Sequence, residues 1–107
     1  MQSNPIKITT TDREIIYAIW DLQDKYKIEE EMAKAFPEVA KEVLVFVKDS
    51  VELAGALLAI IQTVKSVKEK NKSDTRISIQ LSSDSKAVIQ IIEANKGQID
   101  INIENKY

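Results

Sequence analysis

The chain has 107 residues, a formal net charge of −2 and neither cysteine nor histidine; 44% of its residues are apolar and 30% are charged. This is the size and composition of one globular domain, so we expect a single domain over residues 1–107. The near-neutral charge argues against a nucleic-acid partner, and the lack of cysteine excludes disulfides and Cys-based zinc sites. Residues 1–14 hold no apolar signal core, and a cytoplasmic location is the expectation.

The N-terminal segment predicts a strand followed by a helix. Ile6 and Ile8 alternate with polar neighbours in residues 5–10, which is typical of a short half-buried strand. Thr11 and Glu14 have the spacing of a capping box, so a helix is expected to begin there. The apolar stripe of that helix is Ile15, Ile19, Leu22 and Tyr26.

Residues 28–48 also predict helix, with a proline in the middle. Their apolar residues recur at helical spacing. Pro37 interrupts the pattern, because proline inside a helix removes a hydrogen bond and clashes with the preceding turn. The sequence allows one helix that kinks at Pro37, or a short helix 28–35 followed by a second that begins at Pro37. The second interpretation is favoured because proline costs little at a first helical position. The stripe is Ile28, Met32, Phe36, Val39, Val43 and Phe46.

A long apolar helix is predicted over residues 51–70, with Asp49 and Glu52 at capping-box spacing. Its uncharged stretch, Leu53–Val64, is shorter than the roughly 20 apolar residues that a membrane span needs, so we expect no membrane partner.

The middle of this helix is apolar on every side, and such a helix must be covered all round. Two alternatives remain open: burial wholly within the chain, or contact with another chain. For the second, we expect a homo-oligomer, most simply a two-fold dimer, or contact with another protein. The expected contact residues are Ala54, Leu57, Leu58, Ala59 and Ile61.

Residues 76–104 predict a strand, a helix and a strand. Alternating apolar residues in 77–81 and 99–103 give each strand one apolar face. Ser83 or Asp84 can cap the helix between them, and Gly97 follows its end. The prediction is an α+β fold: a small mixed sheet of about three strands, helices packed on one face, an open polar face and a C-terminal β-α-β unit. We expect near-complete burial of Ile19, Leu22, Leu57, Ile61, Ile79 and Ile101.

Catalysis is not expected. Without histidine the commonest general base near neutral pH is missing. The two glycines, Gly55 and Gly97, are too far apart for a phosphate-binding loop. The Ser-Lys pair within 82–86 fits a helix-capping turn, and the acidic run 29–31 fits a solvated first turn of a helix. We therefore predict a protein that is not an enzyme and has no cofactor or metal.

Three segments within residues 6–81 occur in a recognisable order: TTDREIIYAIWDLQDKYKIEEE, SVELAGALLAIIQTVKSVK and KSDTRISIQL. In this order the chain resembles the small effector-associated constant components of bacterial conflict systems. The segment MAKAFPEVAKEVLVFV and the C-terminal strand-helix-strand depart from the pattern. The resemblance implies a non-catalytic adaptor that couples sensor and effector modules in immunity. It carries over no ligand-contacting residue.

A second functional hypothesis comes from a basic run at the end of the long helix. Clustered cations at a helix end and the loop after it can bind an anion, so the alternative is an anion- or nucleotide-binding module, such as a sensor, a sponge or a phage-type inhibitor. The candidate residues are Lys65, Lys68, Lys70, Lys72 and Arg76.

Overall fold

The computed structural model of the protein describes residues 4–33, 40–48, 50–72, 76–95 and 101–105. They form five strands and three helices. In chain order these are β1 (Asn4–Thr10), α1 (Arg13–Trp20), β2 (Lys27–Ala33), β3 (Ala40–Val47), α2 (Ser50–Asn71), β4 (Ile77–Leu81), α3 (Lys86–Ala94) and β5 (Ile101–Asn105).

One sheet contains all five strands in the order β2-β3-β1-β4-β5. Every pair is antiparallel except β4 and β5, which are parallel. The first six elements therefore form two interleaved β-α-β units, each split by a strand of the other, which is the ferredoxin-like topology. The helix α3 and the strand β5 extend that sheet by one parallel strand. Topology alone assigns no function.

The sheet has one covered face and one open face. Ile6 and Ile8 of β1 lie opposite Val45 and Val43 of β3, and all four are buried on the helix side. Lys7 alternates with them and points to the open face, which is largely polar. The predicted α+β class, with helices on one face, is confirmed.

The helices form a single layer whose directions follow from the strands. The helix α2 packs over β1 and β3, between α1 and α3. Because α2 leads into β4 and α3 leads out of it, the two helices run in the same direction. The helix α1 runs oppositely to α2, and an Asn71–Glu14 side-chain hydrogen bond joins the end of α2 to the start of α1.

The predicted helices over residues 28–48 are wrong. The segment Lys27–Ala33 is β2 and Ala40–Val47 is β3, paired antiparallel from Lys27 opposite Phe46 to Ala33 opposite Ala40. The question of one kinked helix or two therefore does not arise, and Pro37 lies outside the described residues. Five strands replace the expected three or so.

The helical interpretation of this hairpin failed because two periodicities overlap in it. Residues 43–47 of β3 are all apolar. They therefore match the alternation of a strand and also the three- and four-residue spacing of a helix. The β-branched residues of β3 favour strands. The glutamates of β2 favour helix weakly, and pairing with β3 overrides that preference.

Other expectations were partly right. Asp12, not Thr11, caps α1, because its carboxylate accepts a hydrogen bond from the Glu14 amide at 3.0 Å. The helix ends at Trp20 instead of continuing to Tyr26. Ser85, not Ser83 or Asp84, is the residue before α3.

The expected core is confirmed at four of six positions. Ile19, Leu57, Ile61 and Ile79 are fully buried. Leu22 and Ile101 are only half-buried, the first in the turn after α1 and the second in the outermost strand. Within the described part of the chain, no helix has the length and hydropathy to cross a membrane.

Candidate functional site

The outer side of α2 is the exposed part of the helix that the sequence predicted to contact another chain. Its exposed residues recur every three or four positions, which places them on one helical stripe. We call them the outer stripe of α2: Gly55, Leu58, Gln62, Ser66 and Glu69. Leu58 is 41% exposed, and among the described residues the only other large apolar side chains so exposed are Tyr17 and Ile89. Each of the three helices therefore presents one.

The structure separates the five predicted contact residues of α2. Leu57 and Ile61 are buried in the chain's own core, so they support folding and cannot reach a partner. Leu58 lies on the outer stripe, and Ala54 and Ala59 lie half-buried on its two flanks. The sheet and the two flanking helices thus cover more of α2 than the sequence suggested, and the apolar outward surface narrows to Leu58 and its small neighbours.

A cleft of about 370 Å³ opens beside this surface, between α2 and the turn that follows α1. The turn supports itself: the Lys25 and Tyr26 amides donate to the Leu22 carbonyl at 3.0 and 3.2 Å. Gly55 leaves the α2 side open, because a Cβ built on it would meet no heavy atom within 4 Å. The lining residues are Asp21, Leu22, Asp24, Lys25, Tyr26, Gly55 and Ala59.

The five cations of the alternative hypothesis do not share one face. The Lys65 ammonium donates to Asn95 Oδ1 at 2.7 Å, which ties it to the end of α3. Lys70 is five residues further on, about 140° around the helix from Lys65, and exposed. Lys68 is half-buried, whereas Lys72, directly after α2, and Arg76, directly before β4, are exposed. Anion binding by these residues stays a prediction.

A hydrogen-bonded group joins α1 to the β2 edge. Glu30 of β2 accepts from Lys41 Nζ at 2.6 Å and from Trp20 Nε1 at 3.1 Å. The hydrogen bond from Lys41 holds the pKa of the Glu30 carboxyl below its ordinary value, with Trp20 and the Lys41 charge adding to the effect against the opposing effect of burial. This group could not be predicted from the sequence because it depends on the β2–β3 pairing.

The Ser-Lys segment 82–86 serves as a turn. The Ser83 hydroxyl accepts from the Ser85 amide at 3.1 Å, next to the start of α3. The Asn105 side chain accepts from the Ser83 amide at 3.0 Å and donates to the Ser83 carbonyl at 2.8 Å. Ser83 is therefore engaged in joining the end of β4 to β5. Among the described residues no group of three or more acidic side chains is placed to hold a metal ion.

Comparison with known proteins finds no matching family model, no similar curated protein and no similar solved structure.

Proposed function

We propose that the protein is a non-catalytic protein-interaction module that contacts another chain through the outer stripe of α2. The observation that carries the proposal is the 41% exposure of Leu58. Small residues surround it, so the backbone of a partner helix can approach closely. The cleft beside Gly55 lies next to this apolar side chain, and concave sites lined by apolar residues are typical of binding surfaces.

The cleft beside Gly55 adds depth to the surface. A partner side chain that enters it meets half-buried Leu22 and Tyr26, with Asp21 and Asp24 at the same opening. Buried side chains in such pockets often contribute much of the affinity of a protein contact. The two carboxylates against the one ammonium of Lys25 favour a cationic residue on the partner.

The proposed biological role is that of an adaptor in a bacterial conflict system, coupling a sensor to an effector. It is supported by the resemblance of residues 6–81 to the effector-associated constant components. A gene for an effector or nuclease beside the gene of this protein would support that role, and a phage setting would favour an inhibitor.

The first occupant to test on the α2 surface is a second copy of the chain. We expect Leu58→Glu to weaken any contact made there, because it places a charge where an apolar side chain meets the partner. The measurement is light scattering after size exclusion at tens of micromolar. If α2 forms the contact, the mass should fall from twice to once the 12.1 kDa of the chain.

The matched control is Gln90→Glu, which adds the same charge at an exposed position of α3, away from the outer stripe of α2. It should leave the association state closer to that of the unmodified protein. Circular dichroism should show that both variants stay folded, since both positions are exposed. Unfolding of Leu58→Glu would assign Leu58 to the chain's own core and contradict the proposal.

A further inference from the structure

The β5 edge of the sheet is the least covered part of the core. Ile101 and Ile103 lie beside Ile77 and Ile79 of β4 in the parallel pair. The β4 residues are 1% and 0% exposed. Their β5 neighbours on the same face are only half-buried. Among the described strands, β5 has a neighbour on one side only, so its outer backbone groups face away from the sheet.

The helix α3 extends this apolar edge. Going around α3, the order is Asn95, Val88, Ile92 and Ile89, at steps of about 100° per residue. Lys65 of α2 contacts Asn95, so Ile92 and Ile89 lie on the flank away from α2. Since α2 covers β1 and β3, that flank is on the β5 side of the sheet. Ile89 is 42% exposed there.

We propose that β5 pairs antiparallel with β5 of a second copy, which joins two sheets into one of ten strands. The two-fold register that pairs all five residues of β5 is centred on Ile103. In it, Ile103 lies opposite its own copy, Asn102 opposite Glu104, and Ile101 opposite Asn105. The one charged side chain of the strand therefore meets an amide instead of a like charge.

The remaining pair in this register is also compatible. Asn105 faces Ile101 of the other copy, but its amide already exchanges two hydrogen bonds with Ser83 of its own chain. Covering it with an apolar side chain therefore leaves no hydrogen-bonding group unsatisfied at that amide. The half-buried isoleucines of both copies would become covered, along with Ile89, which supplies an apolar contribution to the contact.

The opposite edge of the sheet does not have this self-complementarity. A two-fold pairing of β2 would be centred on Glu30. It would place Glu30 opposite Glu30 and Glu29 opposite Glu31. Like charges directly opposite each other destabilise an antiparallel pair. This difference in charge favours β5 over β2 as the edge that a second copy joins. A contact at β5 leaves the outer stripe of α2 accessible to another protein.

Cross-linking tests the register, because the chain contains no cysteine of its own. Residues directly opposite in antiparallel strands have Cα atoms about 4.5–5.5 Å apart, within the range of a disulfide. Ile103→Cys should therefore form a disulfide-linked dimer under mild oxidation. Ile101→Cys is the matched control, because its two copies would lie roughly 13 Å apart along the strands.

Charge substitution at the exposed Asn102 gives a second test that leaves the core unchanged. Asn102→Lys places a cation opposite Glu104 of the other copy and should tighten the dimer. Asn102→Glu places two like charges there and should raise the dimer Kd by roughly an order of magnitude. Ser78→Glu adds the same charge one strand further in and should change the Kd less.

Sedimentation over a concentration series measures these constants, and circular dichroism checks that each variant is folded. Stronger cross-linking at 103 than at 101, together with opposite effects of the two Asn102 variants, supports the pairing. A wild-type chain that stays monomeric throughout, equal cross-linking at both positions, or Asn102 variants with equal affinity overturns it. Dissociation by Leu58→Glu with no effect at Asn102 assigns the self-contact to α2 instead.

Discussion

The two edges of the sheet are built differently. At the β2 edge, Ile28 is 7% exposed, and Glu30 is held by Lys41 and Trp20 on the helix side. At the β5 edge, Ile101 and Ile103 are half-buried and Glu104 is the sole charged residue of the strand. An exposed strand edge is a template for pairing, and charged residues along it discourage that pairing. The strand β2 contains consecutive glutamates in its sequence, whereas β5 contains Glu104 alone.

The difference between the two edges shows that burying the apolar core and preventing further strand pairing at a sheet edge are separate requirements. At the β2 edge, the same side chains of α1 and β3 meet both requirements. At β5, the parallel pairing with β4 satisfies the backbone on one side only. The described residues leave part of the apolar surface at the β5 edge uncovered. This uncovered surface is the physical basis for the proposed pairing.

The largest effects are expected in the core, where three isoleucines sample one inner strand and the two edge strands of the sheet. Ile79→Ala should cost about 2–5 kcal/mol of unfolding free energy, because its site is fully buried. Ile28→Ala should approach that range, and Ile103→Ala should cost roughly half as much in the monomer. Urea unfolding at low protein concentration measures all three. An Ile103→Ala loss that equals that of Ile79→Ala would remove the distinction between the edges.

An intermediate effect is expected from removing charge at β2. Replacing Glu29 and Glu31 together with threonine removes the like-charge pairs of a β2–β2 contact and adds residues that favour strands. This variant should gain association at tens of micromolar, measured by light scattering. The same double substitution with aspartate keeps the charge and should show no gain. Unchanged mass for the threonine variant would mean that charge does not protect this edge.

The smallest effect concerns the carboxylate of Glu30. Its pKa is lowered in the folded state, so its ionised form stabilises the fold above its ordinary titration range, and this contribution is lost as the pH falls through the lowered pKa. Glu30→Gln should therefore cost about 0.2–1 kcal/mol near neutral pH, since the Lys41 pair is partly exposed. The cost should shrink in acid.

Urea unfolding of this variant and the wild type at neutral and at acidic pH measures the change. Glu69→Gln, on the outer stripe of α2, is the comparison. An acid-independent cost for Glu30→Gln would show that the charge of Glu30 does not stabilise the β2 edge, because the amide oxygen of Gln can still accept from Trp20.

The sequence predicted the elements whose patterns are unambiguous. The strict alternation in β1 and β4 and the long stripe of α2 each match one periodicity, and these elements lie close to where they were expected. The hairpin was missed because residues 40–47 match both periods, and only pairing with β1 on one side and β2 on the other decides between them. Such long-range pairing is not contained in a local pattern.

The candidate surfaces were predictable to a lesser degree. Apolar spacing predicted that α2 must be covered, by this chain or by another, but it could not tell Leu57, which is buried, from Leu58, which is exposed. The cleft beside Gly55 depends on how the turn after α1 folds against α2. The β5 edge could not be compared with β2 before β2 was recognised as a strand.

The order of strands in the sheet also has a consequence for how the protein opens and folds. The first strand of the described residues, β1, lies in the centre of the sheet and pairs with β3 and β4, which come much later in the chain. Non-local pairing of this kind slows folding, because the intervening loops must close first. The last two elements, α3 and β5, attach at the periphery and hold few of the central contacts. Their backbone amides should therefore exchange with deuterium through local opening, while those of β1 and β3 should exchange only when the whole domain unfolds.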